Sequence, residues 1–274
     1  MKQLMNCALL CAAFAFLASC SAEPTTLNQG LVIHSDFEKD ASDASENHFD
    51  GKLQGAVLSD DSAVGSHSVY FDGKDDYVEY PAGNVYFEGD YSMSIWVKWE
   101  TCKMWDRILD FNQSEPKGGN AVTWLVGRAA SGTKNNMWLD QWVMYEGRAV
   151  ESILDQRHST PADAYLGYNI VPGYWDHYVV VYDSAAPNPH GVQKNTYGEN
   201  VPLEGVVTFY VNGQKVGVNT HCLKPQPIPT VANWLGRSRF AADPYFNGWM
   251  DDFRLYDRKL SEEEILALYD LGNK

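Results

Sequence analysis

Apolar and polar residues alternate with a period of two along most of the chain, which is the pattern of half-buried β-strands. The clearest segments span residues 93–99, 175–182, 206–211 and 248–256. They are rich in Val, Tyr, Trp and Phe, whose side chains suit a pleated, partly buried surface. Many short strands separated by turns predict an all-β fold in which two antiparallel sheets pack face to face.

Local signals predict where the chain turns and where it becomes helical. Asn212-Gly213 lies between two strand segments and fits a type I′ hairpin turn, because both central residues of that turn need a positive φ. The segment FDGKDDY, residues 71–77, also predicts a hairpin. One helix is predicted at the C-terminus, where Ser261 and Glu264 form a capping box ahead of an apolar face.

Two segments interrupt the strand pattern without indicating a second domain. Residues 183–204 hold three prolines and two glycines and predict a long surface insertion, and residues 112–120 predict a loop. The composition does not change along the chain in the way that a domain boundary would require. Residues 30–274 are therefore expected to form a single domain.

The N-terminus carries an export signal rather than part of the fold. Lys2 begins a short basic region, and the apolar residues 8–17 lead into Leu17-Ala18-Ser19-Cys20. Those last four residues resemble a bacterial lipobox. The resemblance implies a signal peptide over residues 1–19, lipidation of Cys20 and a tether over residues 20–29. An ordinary cleaved secretion signal with an incidental Cys20 is the alternative.

The residue after Cys20 bears on the membrane that would hold a lipid anchor. Ser21 does not indicate retention in the inner membrane. We therefore expect a lipid-anchored protein of the outer membrane, on its surface or its periplasmic face.

Composition narrows the class of protein further. The 274 residues carry a net charge of −15, and 45% of them are hydrophobic. This balance excludes a disordered polymer, a collagen-like fibre and a coiled coil. So acidic a chain should repel nucleic acid and anionic lipid head groups, and it could recruit a divalent cation.

The cysteines also depend on processing. Cys7 and Cys11 leave with the signal, and Cys20 carries the lipid. Cys102 and Cys222 remain, and in an exported protein they predict one possible disulfide. Two buried thiols are the alternative.

Several signatures along the chain together indicate a family. In order they are FDGKDDYV (71–78), MSIWVK (93–98), WDHYVVVYD (175–183), FYVNG (209–213), LGRS (235–238) and GWMDDFRLYDRKLSEEEI (248–265). This set resembles the bacterial laminin-G-like domains of the concanavalin A-like lectin/glucanase superfamily, over about residues 30–272. The resemblance implies a jelly-roll sandwich of two curved sheets. It also implies a carbohydrate- or protein-binding module, in many members with a structural calcium.

No catalytic motif is visible. Retaining glucanases of this superfamily carry Glu-x-Asp-x-x-Glu on one strand, and this sequence lacks it. Asp140 and Glu146 would share a strand face but lie roughly 20 Å apart, too far for either hydrolytic geometry. The sequence therefore favours a protein without catalysis, although a dyad assembled from different strands stays open.

The strand over residues 137–146 offers a candidate ligand-binding face. Trp138, Asp140 and Trp142 alternate along it and combine flat aromatic faces with a carboxylate, as a sugar site requires. Trp124 and Trp96 would extend this surface if their strands adjoin it. The alternative is that these aromatic side chains fill the space between the sheets.

Two acidic residues are candidate calcium ligands. Asp251 alternates with Phe253 and Leu255, so it points to the buried side of its strand, and Asp36 lies beside Phe37. First and last strands are often neighbours in the superfamily, so both carboxylates could meet one ion. The alternative is an ion pair with Arg107 or Arg254.

These features support three functions. The first is a lipid-anchored, non-catalytic, glycan-binding protein of the cell envelope. The second is a structural or adhesive subunit that docks on another envelope protein through residues 183–204 and 112–120. The third is a glycoside hydrolase or polysaccharide lyase with a cross-strand site.

Overall fold

The computed structural model describes residues 25–113 except 84 and 86, together with 121–128, 135–145, 148–153, 170–194, 200–224 and 230–272. Within residues 121–153 only the side chains of Leu139 and Gln141 are described. The predicted signal peptide, the lipidation site Cys20 and residues 21–24 of the tether lie outside these ranges.

The described residues form seventeen strands and one α-helix, preceded by a 3-10 turn at Thr25–Asn28. The elements are β1 (Leu31–Ser35), β2 (Lys52–Gln54), β3 (Val57–Ser59), β4 (Ser68–Asp72), β5 (Tyr77–Tyr80), β6 (Tyr91–Thr101), β7 (Arg107–Asn112), β8 (Ala121–Arg128), β9 (Asn135–Tyr145), β10 (Arg148–Ile153), β11 (Trp175–Asp183), β12 (Val192–Lys194), β13 (Asn200–Pro202), β14 (Val206–Val211), β15 (Gln214–Asn219), β16 (Ala232–Leu235), β17 (Asn247–Tyr256) and α1 (Glu262–Gly272).

The strands build two antiparallel sheets, as the alternation predicted. Sheet A has the order β15-β14-β11-β6-β17-β4-β3, and β1 also pairs with β17. Sheet B has the order β10-β9-β8-β7-β16-β5-β2. In the predicted insertion, β12 and β13 form a separate two-stranded sheet. The first and last strands are neighbours, and the predicted jelly-roll sandwich is confirmed.

The core between the sheets is rich in aromatic side chains. Phe71 meets Phe246 edge-on at 5.4 Å between ring centroids, and Phe246 also contacts Trp99 at 4.6 Å. Phe111 and Phe253 pack edge-on at 6.2 Å. All five side chains are fully buried, so the removal of their apolar surface from water stabilises the packing of sheet A on sheet B.

The predicted helix and its capping box are confirmed. The Ser261 Oγ accepts the backbone N–H of Glu264 at 3.3 Å, and the Glu264 carboxylate accepts the backbone N–H of Ser261 at 2.9 Å. The helix buries Ile265 and Leu268 in a second apolar cluster on the outer side of sheet A. Among the described residues, no helix has the combination of length and apolarity that would let it cross a membrane.

One of the two predicted hairpins is confirmed and the other is wrong. Asn212 and Gly213 have φ of 51° and 74° and join the paired strands β14 and β15. The segment over residues 71–77 instead connects β4 in sheet A to β5 in sheet B. The Asp76 carboxylate accepts the backbone N–H of Asp72 at 2.9 Å, so the same turn residues form a compact crossing between the sheets.

The favoured disulfide is also wrong, because Cys102 and Cys222 are free thiols at opposite ends of the sandwich. Cys102 follows the last residue of β6. Cys222 precedes Leu223, whose N–H donates to Gln141, and Gln141 in turn donates to Tyr91 at the start of β6. Eleven extended residues span roughly 30 Å, whereas a disulfide needs Cα atoms within about 7 Å.

Candidate functional site

A row of large side chains crosses the outer face of sheet A on five neighbouring strands. The cross-strand register places its members directly opposite one another, and we call them the Trp249 row: Val57 on β3, Tyr70 on β4, Trp249 on β17, Lys98 on β6 and Trp175 on β11. Directly opposed residues of antiparallel strands share a face, so these five side chains form one continuous surface.

Every member of the row is at least partly exposed to solvent, whereas the residues next to Tyr70 and Trp249 along their strands are buried in the core. Val69 and Met250 are fully buried, whereas Tyr70 and Trp249 beside them are partly exposed. Val57 is 55% exposed at the edge of the sheet. Monomers bury most large apolar side chains, so a row of partly exposed aromatic rings is a candidate interaction surface.

The rings of the row are close enough to act together. The centroids of Tyr70 and Trp249 lie 4.9 Å apart with the planes tilted by 48°. The ammonium group of Lys98 lies 5.0 Å from the centroid of the Trp249 ring, within cation–π range. Trp175 lies on the other side of Lys98, one strand further along.

Hydrogen bonds hold the polar atoms of the row in place. The Trp249 Nε1–H donates to Ser59 Oγ at 3.1 Å, and the Trp175 Nε1–H donates to Asp61 Oδ1 at 2.9 Å. The hydroxyl of Tyr70 donates to Glu100 Oε2 at 2.8 Å. The rings therefore have defined orientations before a ligand binds. Binding then costs less conformational entropy of these side chains.

Asp61 connects two members of the row. Its carboxylate accepts hydrogen bonds from both Lys98 and Trp175. Partial burial acts to raise the pKa of Asp61, but these two hydrogen bonds outweigh it and hold the pKa below the ordinary value. Asp61 is therefore a carboxylate at neutral pH, and it offers acceptor oxygens at the surface.

The loop that carries Asp61 is anchored from beneath by a buried acid. Asp251 accepts the backbone N–H groups of Ala63 and Val64 on Oδ2, each at 2.9 Å, and that of Asp252 on Oδ1 at 2.8 Å. Burial raises the pKa of Asp251 to about 8. These contacts position the 60–67 loop beside Lys98 and Trp175.

The neighbouring outer part of sheet A is covered by the helix, and this corrects one predicted ligand residue. Trp96 is only 4% exposed and stacks on Tyr269 of α1 at 5.7 Å between centroids. Its other ring neighbour is His177, at 5.1 Å. Trp96 therefore lies in the interface between helix and sheet and does not extend a ligand surface, because the apolar face of α1 needs a partner there.

His177 lies beneath the same helix, with its ring beside those of Trp96 and Tyr269. It is fully buried and shares a hydrogen bond of 2.8 Å with Ser94 Oγ. Burial lowers the pKa of His177 to about 3, so the imidazole is neutral at physiological pH.

The other predicted ligand residues lie on two adjacent strands of sheet B, but their side chains fall outside the described residues. The register pairs Trp124 of β8 with Leu139 of β9, which is buried in the core. Trp138, Asp140 and Trp142 hold the alternate positions of β9. Trp124 is thus out of phase with that group, and a binding role for β9 stays a prediction.

The two predicted calcium ligands have different surroundings. Asp36 is exposed, and its Oδ1 accepts the backbone N–H of Glu38 at 3.1 Å. Asp251 is fully buried, but three N–H donors satisfy its oxygens, so its burial has an explanation that needs no metal.

The two arginines of the alternative ion pairs have other carboxylate partners. Arg254 pairs with Asp252 at 3.0 Å, and Arg107 pairs with Asp243 at 2.7 Å. Calcium at Asp36 and Asp251 stays a prediction.

Sequence reasoning identified the strands that carry Lys98, Trp175 and Trp249, but it did not predict β3 and it missed the Trp249 row itself. Along the sequence Trp249 is in phase with Phe253 and Leu255, which face the core, and only the bulge at Asp252 places it on the outer face. Tyr70, Lys98 and Trp175 occupy alternate, outward positions of their strands. That signal gives the face of each residue but not its neighbour across the sheet. The order of the strands, which brings β4, β17, β6 and β11 together, was needed to see the row.

Solved structures with the same fold include carbohydrate-binding domains. Domain 4 of AbnA, a GH43 extracellular arabinanase from Geobacillus stearothermophilus solved with arabinotriose, is 19% identical, with a TM-score of 0.58 over 88% of this chain and 98% of that domain. The binding domain of Paraclostridial Mosquitocidal Protein 1 is 15% identical, with a TM-score of 0.55 over 89% of this chain and 52% of the other.

A third similar structure is the binding domain of Botulinum Neurotoxin DC in complex with SialylT. It is 13% identical, with a TM-score of 0.53 over 89% of this chain and 52% of the other. The present chain spans about half the length of these two toxin structures. At such identities the likeness concerns the fold alone.

Sequence comparison places the chain in a family. No curated protein matches it. A laminin-G-type family model described as the concanavalin A-like lectin/glucanases superfamily matches residues 72–266, which include the strands from β5 to β17 and the start of α1. By fold and by sequence, the chain belongs to the concanavalin A-like lectin/glucanases superfamily.

Proposed function

We propose that the protein is a non-catalytic, lipid-anchored carbohydrate-binding protein of the cell envelope and that the Trp249 row is its binding surface. The observation that carries the proposal is the register that aligns Tyr70, Trp249, Lys98 and Trp175 on one exposed face. Aromatic faces pack against the C–H surfaces of sugar rings, and carboxylate and ammonium groups bond to their hydroxyls.

The similar structures support this class of ligand. The arabinanase domain was solved with arabinotriose, and the neurotoxin domain was solved with SialylT. A shared fold does not by itself give a shared ligand, so the argument rests on the chemistry of the row.

The protonation state of Asp61, which lies beside the row, favours binding over hydrolysis. A glycosidase needs one carboxylic acid that keeps its proton near neutral pH, which requires a raised pKa. Asp61 has a lowered pKa because Lys98 and Trp175 donate to it. Asp61 therefore serves as an acceptor for hydroxyl groups and not as a general acid.

The position of the row fits an anchor at the N-terminus. Leu27 is buried in the same cluster as Tyr256, and the Arg258 guanidinium donates to the carbonyl of Thr26 at 2.8 Å. Trp249 lies seven residues from Tyr256 along β17, roughly 20 Å away. A lipid on Cys20 would thus hold the helix end of the domain near the membrane and present the row away from it.

Affinity electrophoresis through gels with embedded glycans tests the proposal. Trp249→Ala should reduce retardation at least tenfold in apparent affinity, because it removes the central ring. Tyr77→Ala, a partly exposed aromatic residue of sheet B, is the matched control and should bind like the parent. Circular dichroism and melting temperature establish that each variant is folded.

The predicted ligand-binding residues of β9 provide the result that would contradict binding at the Trp249 row. If Trp138→Ala with Trp142→Ala abolishes retardation while Trp249→Ala leaves it unchanged, the binding surface lies on sheet B. If the parent shows no retardation on any glycan, carbohydrate binding is excluded for the glycans used.

A second candidate function, docking on another envelope protein, is favoured by apolar side chains near the ends of the row. Val57 is 55% exposed, and Tyr174, which precedes Trp175, is 69% exposed. Crosslinking in detergent followed by co-purification would identify such a partner. Loss of that partner in a Val57→Ser, Tyr174→Ser variant would assign the docking to this surface.

A further inference from the structure

We propose that the Trp249 row recognises an extended, uncharged glycan chain that crosses the strands of sheet A, and not a single terminal sugar or an acidic polysaccharide. This inference rests on the proposed function and specifies the class of ligand for the same surface.

The first argument is the spacing of the aromatic rings. Tyr70 and Trp249 form one platform with centroids 4.9 Å apart. Trp175 is two strands away from Trp249, with Lys98 between them, so the backbones of the two tryptophans lie about 10 Å apart. A single sugar ring covers one platform, whereas a chain of sugars can reach both.

The second argument is the way the indole N–H groups are used. Both tryptophans donate Nε1–H within the protein, Trp249 to Ser59 and Trp175 to Asp61. The rings are thus left with their apolar surfaces for a ligand. Polar contacts must come from the groups between and beside the rings, chiefly Asp61, Lys98 and Glu100, which would bond to hydroxyls along a chain.

The third argument is electrostatic. The only cation of the row, Lys98, is paired with Asp61. Glu100, which accepts the hydroxyl of Tyr70, is exposed. Asp60, the first residue of the 60–67 loop, has a side chain that is 97% exposed. The surface is therefore net negative within a chain of net charge −15, and it should repel uronic acids and sulfated sugars.

The first part of the test varies chain length. Arabino-, xylo- and cello-oligosaccharides of one to eight units are titrated into the parent by calorimetry. Affinity should increase at least tenfold between the shortest chain that binds and chains long enough to reach Trp175. Trp175→Ala should remove that increase but leave the binding of short chains intact, whereas Trp249→Ala should weaken both.

The second part varies charge alone. Glucuronoxylan and its carboxyl-reduced form share one backbone, and the reduced form should bind at least tenfold more tightly in low salt. Replacing Asp60 and Glu100 together, by D60N and E100Q, should narrow that difference. The glutamine keeps an acceptor for the Tyr70 hydroxyl, so the ring platform is preserved.

The outcomes separate this inference from the proposed function. Binding that depends on Trp249 but is equal for short and long chains, or equal for the acidic and reduced polymers, would overturn the inference and leave the proposed function standing. No binding of any of these glycans by the parent would overturn both.

Discussion

Asp251 accepts the backbone N–H of Val64 at 2.9 Å, and this contact joins the last strand of sheet A to the loop in front of β4. The same loop carries Asp61, which accepts the indole N–H of Trp175 at 2.9 Å. The fully buried side chain of Asp251 thus positions one end of the Trp249 row through the backbone of this loop.

Asp251→Asn should destabilise the fold and loosen the 60–67 loop. The amide replaces one acceptor oxygen by an N–H group that faces backbone donors, and a buried unsatisfied polar group costs about 1–3 kcal/mol. Urea denaturation should show a loss of this size, and hydrogen exchange should accelerate at Ala63 and Val64. Asp60→Asn, on an exposed neighbour in the same loop, is the control and should leave both measurements unchanged.

His177 should make the protein less stable as the pH falls. Burial lowers its pKa in the fold to about 3, and Asp252 and Arg254 are the charged groups that act on it. In the unfolded chain the imidazole of His177 is protonated below about pH 6.5, whereas in the folded chain it stays neutral until about pH 3. The contribution of His177 to stability is therefore present above about pH 6.5 and is lost between there and pH 3, by at most about 1.4 kcal/mol per pH unit.

The measurement is the free energy of unfolding at pH 7, 5.5 and 4.5 for the parent and for His177→Gln, which can still bond to Ser94. The parent should lose stability more steeply than the variant on acidification. Parallel curves would show that His177 is protonated in the folded state.

Trp96→Ala should affect stability but not ligand binding. Its ring lies between sheet A and Tyr269, and removing a buried tryptophan costs about 3 kcal/mol or more. Thermal unfolding should register this loss, whereas glycan retardation below the melting temperature should match the parent. A loss of retardation without a loss of stability would show that Trp96 contributes to ligand binding.

Cys102 and Cys222 should react as two free thiols. Ellman's reagent, added to a chain that begins at Ser21 and is unfolded without reductant, should release two equivalents. In the folded chain Cys222 should be protected, since it is fully buried and burial raises its pKa. Cys102→Ser should release one equivalent on unfolding, and the absence of thiols in the unfolded parent would indicate the disulfide.

Calcium binding by Asp36 and Asp251 is tested by the melting temperature. If an ion links the first and last strands, EDTA should lower the melting temperature and calcium should restore it in excess over magnesium. An unchanged value would assign the burial of Asp251 to its three N–H donors alone.

The features that the sequence predicted correctly are local. The positive φ required at Asn212 and Gly213, and the reciprocal hydrogen bonds of Ser261 and Glu264, involve residues at most three positions apart. Likewise, the alternation within β6 depends on the backbone period alone, so it predicts correctly that Met93, Ile95 and Val97 face the core. These local features were sufficient to predict the sandwich and its C-terminal helix from the sequence.

Pairing between distant segments was decided only by the tertiary structure. Residues 71–77 connect two sheets because β4 and β5 find different partners, and Cys102 and Cys222 are separated by the length of β6. Trp96 and Trp249 both point outward from sheet A, yet one is covered by the helix and the other lies in an exposed row. Strand order and helix docking depend on the whole core, whereas a side-chain period records only the face on which each residue lies.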